Sequence, residues 1–313
     1  MKNEIKQAYK MMEGCSLCPR NCGVNRLKGE IGFCKAGLKP MFSSAHLHFG
    51  EEPPISGKNG SGTIFLTHCS LRCCFCQNHP ISQLRQDNVV GIEQCSIPTT
   101  KLSDIMLGLE KQGAHNINFV TPTHYMPQVL EAIMIAKDKG LTIPIVYNCG
   151  GYESFEALKL LKGVVDIYLP DMKYSDDLVA KKYSSAPDYF EVNKIAIKEM
   201  YDQVGMLEVE DGIAKKGLLI RHLVLPGNIQ GSEKIFSFII KELSPDIYVN
   251  IMAQYYPCHL AHKFPEINRR ITHKEYMDTI RLAKKMGLKG GFRQVLSTIN
   301  RLKIPEWTDD LKE

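Results

Sequence analysis

From about Thr63 onward the chain alternates short β-branched runs with longer stretches whose apolar residues recur at helical spacing. The runs TIFLT (63–67), NINFV (116–120), IPIVYN (143–148), VDIYL (165–169), LLIRHLVL (218–225) and YVNIM (248–252) predict six strands. Between the first two, Leu102, Ile105, Met106 and Leu109 are spaced i, i+3, i+4, i+7, the stripe of a core-facing helix. Pro127 and Gly140 stand at the start and stop of the next helix, and further helices are expected over 154–161, 190–204, 235–243 and 276–283. Strands apolar enough to be covered on both faces, each followed by a helix, predict an α/β fold with a parallel sheet and right-handed crossovers. Periodicity leaves an open sheet and a partial barrel as alternatives. Either places its site at the C-terminal strand ends, which here carry Cys69–Cys76, TPTHY, NCGGY, PDMKY, PG and AQYYP.

Ahead of this array lies a cysteine-rich start, and residues 40–62, with Pro40, Pro53, Pro54 and SGKNGSG, read as the connection to it. The expected division is a cysteine-rich segment over 1–48, a barrel over 49–290 and a tail over 291–313. GSG is not a phosphate loop, since it precedes a strand and lacks the Gly-Lys-Ser/Thr ending. No repeat of fixed period is present.

The 313 residues carry eleven cysteines, about 3.5%, well below a disulfide scaffold. The first residues lack the apolar core of a secretory signal, and no apolar run is long enough to span a bilayer. A cytoplasmic protein with reduced thiols and no membrane partner is the expectation. The net charge of +5 lies wholly in residues 1–40, with eight Lys or Arg against three acidic residues. These charges are spread singly, without interleaved stacking aromatics, so nucleic acid is not the expected partner. They would offset the charge of a thiolate-bound metal.

Eight cysteines form two clusters. Cys69, Cys73 and Cys76 give C-x3-C-x2-C directly after the first strand, a spacing that can hold three irons of a cubane cluster and leave the fourth open. The alternative is a closed four-cysteine zinc or ferredoxin site completed by Cys74 or a distant cysteine. The second set, Cys15-x2-Cys18-x3-Cys22-x11-Cys34, offers four thiolates with Pro19, Gly29 and Gly32 as turn residues, suited to structural zinc or a second iron–sulfur cluster.

The C-x3-C-x2-C loop after the first strand, with Phe75 ahead of the last cysteine, resembles the radical S-adenosylmethionine (SAM) superfamily over roughly residues 60–290. RHLVLPG (221–227) and YLPDMKY (168–174) resemble the pyruvate formate-lyase activating enzymes within it. CSLCPRNCGVNRLKGEIGFC, VTPTHY and QYYP resemble the uncharacterised branch called pyruvate formate-lyase activating enzyme homologues. The resemblance implies a partial (β/α)6 barrel, a [4Fe-4S] cluster on Cys69, Cys73 and Cys76, and SAM on its free iron. It implies reductive cleavage of SAM to methionine and a 5′-deoxyadenosyl radical that abstracts hydrogen from a substrate. It also implies an electron donor such as flavodoxin or ferredoxin. Thr121, Pro122 and Thr123 occupy the place of the Gly-Gly-Glu segment that holds the methionyl amino group in most members. Asn148, Asp171, Lys173, Arg221 and His222, together with Phe75, are the further cofactor-binding candidates that the resemblance supplies.

The substrate is a protein in one reading, as for the glycyl-radical activases, and a small molecule or peptide in another. A third reading, of another class, is a non-catalytic iron–sulfur or zinc protein for electron transfer or partner binding. Cys258 is expected at the barrel mouth as a hydrogen donor or acid, or as a spare thiol. Cys95 and Cys149 have no expected role. His124, His259 and His262 follow strands without being offered as ligands. Tyr125, Tyr152, Tyr174 and Tyr255 either line a pocket or pack.

Overall fold

A computed structural model describes residues 2–84 and 96–293. Among these, nine strands form one sheet: β1 (Phe42–His48), β2 (Ser61–Leu66), β3 (Ile117–Val120), β4 (Ile145–Cys149), β5 (Ile167–Pro170), β6 (Glu208–Glu210), β7 (Ile213–Leu223), β8 (Tyr248–Met252) and β9 (Phe292–Arg293). Their order is β1-β2-β3-β4-β5-β7-β8-β9, with β6 paired to β7. Pairing is parallel from β2 to β9 along this path, and antiparallel where β1 meets β2 and β6 meets β7. Parallel strands that follow one another in chain order, with no reversal, wind in one direction only. That winding is a partial barrel's, since a doubly wound sheet reverses its order at a switch point.

Helices Thr99–Lys111, Met126–Asp138, Phe155–Lys159, Tyr189–Val204, Ser232–Phe238 and His273–Met286 occupy the crossovers where apolar spacing predicts them. Strand side chains alternate in direction. Ile64, Phe119, Tyr147, Tyr168, Ile220 and Ile251 belong to the large core under the helices. The opposite parity faces the barrel interior, where Ile55 closes an apolar floor with Val146, Ile167, Leu169, Ala214 and Leu219. Residues 50–56, within the expected connection, therefore enter the barrel and plug its base.

The start of the chain is packed into the same core. Ala8, Met12, Cys15, Leu17, Cys34 and Ala36 join the helix-side cluster. Tyr9 donates to Glu131 at 2.6 Å, and the buried Arg26 donates to the carbonyl of His124 at 2.6 Å. β1, within the stretch read as the N-terminal segment, adds a strand to the sheet.

Candidate active site

The loop after β2 turns sharply at His68, whose φ of 68° is left-handed. Its backbone is then fastened on the outside: Arg72 N–H donates to Ser184 O at 3.0 Å and Cys74 N–H to Tyr183 O at 2.8 Å, both at the end of helix Asp177–Ser184. This pairing turns Cys74 into an apolar cluster with Phe75, Tyr183 and Tyr255, while Cys73 and Cys76 line a cavity of about 340 Å³ at the strand ends. Each sulfur of the triad has a hydrogen-bond partner. Leu71 N–H reaches Cys69 Sγ at 3.3 Å, Ser184 Oγ donates to Cys73 Sγ at 3.0 Å, and Cys76 Sγ shares a hydrogen bond with Ser82 Oγ at 3.2 Å. Burial, reinforced by the neighbouring Cys73, pushes the Cys76 thiol up to about 12 and Cys69 higher still. A metal centre here must displace those protons. Three soft donors on one loop, with donors aimed at their sulfurs, fit an iron–sulfur cluster.

Lining the cavity with Cys73 and Cys76 are Phe75, Asn148, Asp171, Lys173 and Arg221. Strand parity brings the polar groups together. Arg221 donates from Nε to Asp171 at 2.9 Å and from a terminal nitrogen to Asn148 at 2.6 Å, and lies 3.6 Å from Glu51. Lys173 is ion-paired to the other oxygen of Asp171. Burial alone would raise the Asp171 pKa, but Arg221 and Lys173 hold it below the usual carboxylate range. His48, Gly50 and Glu51, on and after β1, complete the wall.

Several expected residues lie elsewhere. His222 is fully buried on the opposite face of β7, bonded through Nδ1 to Met172 O at 2.8 Å and through Nε2 to Ser232 at 2.9 Å. Adjacent strand residues cannot share a face, so with Arg221 inside, His222 points to the helix layer. Thr121, Pro122 and Thr123 are outside the lining of the cavity. Thr121 is in a left-handed turn at φ 59°, and the Thr123 hydroxyl is buried away from the cavity, donating to buried Glu153 at 2.7 Å. Cys258 is likewise outside the lining; its thiol donates to Phe75 O at 3.2 Å and burial pushes its pKa up to about 11, which makes it a poor acid. Cys149 is buried at the end of β4. Cys95 lies outside the described residues.

Of the tyrosines, Tyr255 lines the cavity and holds Phe75 edge-on at 5.4 Å, whereas Tyr125, Tyr152 and Tyr174 are packed elsewhere. His124 bonds Thr67 O at 2.7 Å, and His262 is exposed.

The four N-terminal cysteines come together beside this loop. Burial, with Cys34, Cys15 and Cys22 nearby, pushes the Cys18 thiol up to about 12. Among the described residues no three His, Cys, Asp or Glu side chains are gathered at the spacing of a single ion, so a zinc held by bonds of ~2.3 Å would require these thiols to close up. Two arginines join the cysteine segments. Arg20 lies 3.4 Å over the Phe33 ring and donates to Ser70 O at 2.6 Å and to Ser185 O at 2.5 Å. Arg72 donates to Phe33 O at 2.7 Å and to Cys69 O at 3.0 Å.

No family model matches the chain. Several solved structures align with part of the chain at low sequence identity. SuiB of Streptococcus suis is 9% identical with a TM-score of 0.47, over 75% of this chain and 48% of SuiB, so the chain spans about half the length of that protein. A domain of the pyruvate-formate lyase-activating enzyme from Bacteroides vulgatus is 13% identical with a TM-score of 0.36, over 63% of this chain and 91% of the domain. In sequence, the uncharacterized protein MJ0674 of Methanocaldococcus jannaschii is 33% identical over 291 residues, 91% of this chain and 78% of that protein. The chain belongs to the family of that protein.

Proposed function

We propose that the chain is a radical SAM enzyme, with Cys69, Cys73 and Cys76 holding a [4Fe-4S] cluster and the 340 Å³ cavity receiving SAM and substrate. The observation that carries this reading is the cavity itself, which opens beside two of the three cysteines and is walled by buried charges; an electron carrier has no need of one. A cluster held by Cys69, Cys73 and Cys76 would supply one-electron reduction of the SAM sulfonium, the chemistry that yields methionine and a 5′-deoxyadenosyl radical able to take a hydrogen atom from a substrate.

The chain's own residues would position the reactants. Lys173 and Arg221 offer cationic donors to a carboxylate, Asn148 and Asp171 offer acceptors to an ammonium or ribose hydroxyls, and Phe75 and Tyr255 give an apolar wall to a ring. Leu223 and Met252 add apolar cover that keeps water from a reactive radical. Cys15, Cys18, Cys22 and Cys34 are proposed to hold a second metal centre, zinc or iron–sulfur. The Arg20 and Arg72 bridges support a site that braces the catalytic loop. A flavodoxin- or ferredoxin-like protein is the proposed electron donor.

The test is anaerobic reconstitution with iron and sulfide, reduction, and measurement of 5′-deoxyadenosine formed from SAM, beside a variant with Cys69, Cys73 and Cys76 changed to alanine. No turnover by the wild type, with an EPR signal indifferent to SAM, sinks the reading. Metal analysis of the same triple variant separates zinc from iron at the N-terminal site.

A further inference from the structure

Below the cysteines the barrel interior is polar before it becomes apolar. Asn118 on β3, Asn148 on β4, Arg221 on β7 and Asn250 on β8 all point inward, and Glu51 and Glu52 rise between them from the plug. Glu51 accepts from Asn118 at 3.0 Å and Asn148 at 3.2 Å and faces Arg221. Glu52, 5% exposed, accepts from Asn250 at 2.7 Å through one oxygen only. Its other oxygen and the Asn250 carbonyl are buried without a hydrogen-bond partner. Both residues line a second cavity of about 70 Å³, together with Gly50, Glu51, Pro53, Arg221, Met252 and Gln254. Five of those residues, Gly50, Glu51, Arg221, Met252 and Gln254, also line the larger cavity, so the small one is its inner end.

The charges do not balance. The buried carboxylates are Glu51, Glu52 and Asp171, and the buried cations facing them are Arg221 and Lys173; Arg270, at the rim, is exposed. Arg221 is divided between Asp171, Asn148 and Glu51 and lies near Glu52 as well, and Lys173 is ion-paired to Asp171. Two buried cations thus serve three carboxyl groups, burial pushes the pKa of both glutamates up, and Glu52 keeps a bare oxygen. A buried carboxylate in that condition calls for a donor that brings positive charge.

We infer that the inner cavity is the receptor for a primary ammonium group of the substrate, with Glu52 as its counter-charge and Asn250 as a second acceptor. This rests on the reading of the larger cavity as the substrate chamber, because a group reaching the inner end through that chamber is attached to what the chamber holds. An ammonium has three donors and needs three acceptors, of which Glu52 and Asn250 supply two and the adjacent Glu51 can supply the third. Hard metal ions take six or more oxygens, and here Met252 and Pro53 occupy part of the wall. The substrate class is therefore an amine, such as a lysine side chain, an amino terminus or a small alkylamine.

The experiment uses the full-length, cluster-loaded protein and three chloride salts at matched ionic strength: methylammonium, tetramethylammonium and potassium. Calorimetric titration and thermal unfolding are recorded for the wild type and for Glu52→Gln, which keeps an acceptor for Asn250. Methylammonium is expected to saturate the wild type and raise its Tm, to bind the variant roughly tenfold or more weakly, and to outdo tetramethylammonium, which has no N–H. Equal binding of potassium identifies a metal-ion site and overturns the inference. Absence of methylammonium binding overturns it as well, since a proton then satisfies Glu52. The comparison of the two ammonium salts on the wild type decides the matter even if the variant fails to fold. Iron content and 5′-deoxyadenosine formation measured on the same preparation keep this outcome separate from failure of the radical SAM reading.

Discussion

Arg221 and His222 are neighbours in the chain and serve opposite faces of β7. Arg221 Nε holds Asp171 at 2.9 Å inside the barrel, while His222 Nε2 holds Ser232 at 2.9 Å under the helix outside. One strand residue thus divides a candidate cofactor contact from a packing element.

Substitutions at the two positions should separate accordingly. Arg221→Met leaves Asp171 and Glu51 facing each other without their shared cation and is expected to cost roughly 3–5 kcal/mol. Arg221→Lys keeps the charge but loses the fork that reaches both Asp171 and Asn148, and should weaken SAM binding roughly tenfold. His222→Gln is expected to cost roughly 1–3 kcal/mol while leaving the SAM affinity of the cluster-loaded fraction unchanged. Denaturant unfolding and calorimetric SAM titration read the two effects independently.

Glu153 gives the fold a pH dependence. The carboxyl is buried with Thr123, Tyr147 and Cys149 as its hydrogen-bond partners, and burial pushes its pKa from 4.5 up to about 7. The folded protein therefore binds the proton more tightly than the unfolded chain. Its stabilising effect is complete below about pH 4.5 and is lost as pH rises to 7, a decline of about 3 kcal/mol from this group. Glu153→Gln should flatten that segment of the stability–pH curve and raise stability above pH 7. Urea unfolding of both proteins between pH 5 and 8 checks it; parallel curves would assign the slope to other groups.

The barrel was legible because its strands are buried on both faces and so read as apolar runs. The cysteine loop was legible because its spacing needs no tertiary information. The polar interior has only a faint sequence signal: Asn118 within INFV and Asn250 within YVNIM are polar residues at the centre of apolar strands. Glu51 and Glu52 were hidden for a different reason, since a stretch rich in Pro and Gly reads as a linker and only tertiary structure shows it entering the barrel. A strand end alone does not assign a face: side chains alternate along β7, so Arg221 and His222 point to opposite sides of the sheet. Thr123 and Cys258 follow their strands by three and six residues, but long-range hydrogen bonds to Glu153 and the Phe75 carbonyl engage their donors away from the cavity.

The N-terminal segment is fastened to the cysteine loop after β2 by Arg20. Its guanidinium lies 3.4 Å above Phe33 and donates to the carbonyls of Ser70 and Ser185, linking the chain between Cys18 and Cys34 to the loop between Cys69 and Cys73. Arg20→Ala should cost roughly 2–4 kcal/mol from the lost charged hydrogen bonds and the cation–π contact. It should also lower the iron that the cysteine loop of the reconstituted protein retains under mild chelation. Limited proteolysis near residue 40, compared with iron release, would show whether loosening precedes cluster loss. Intact iron in a proteolytically loosened variant would mean that the two segments are only neighbours.

Tyr174, Ser184 and Cys73 form a directed chain of hydrogen bonds. Ser184 Oγ donates to Cys73 Sγ at 3.0 Å, so the Tyr174 hydroxyl, 2.8 Å away, must donate to Ser184. A donor on a ligand sulfur draws electron density from it and favours the reduced, more negative form of a cluster; a second donor polarises the first. Ser184→Ala should therefore move the cluster midpoint to more negative potential. Tyr174→Phe should move it in the same direction by less. Tyr152→Phe serves as the control, because that hydroxyl bonds Pro187 O at 2.9 Å and touches no ligand sulfur. An EPR-monitored redox titration of the reconstituted proteins reads the shift without any substrate, and an unchanged midpoint in Ser184→Ala would show that this hydroxyl packs against the loop without tuning it.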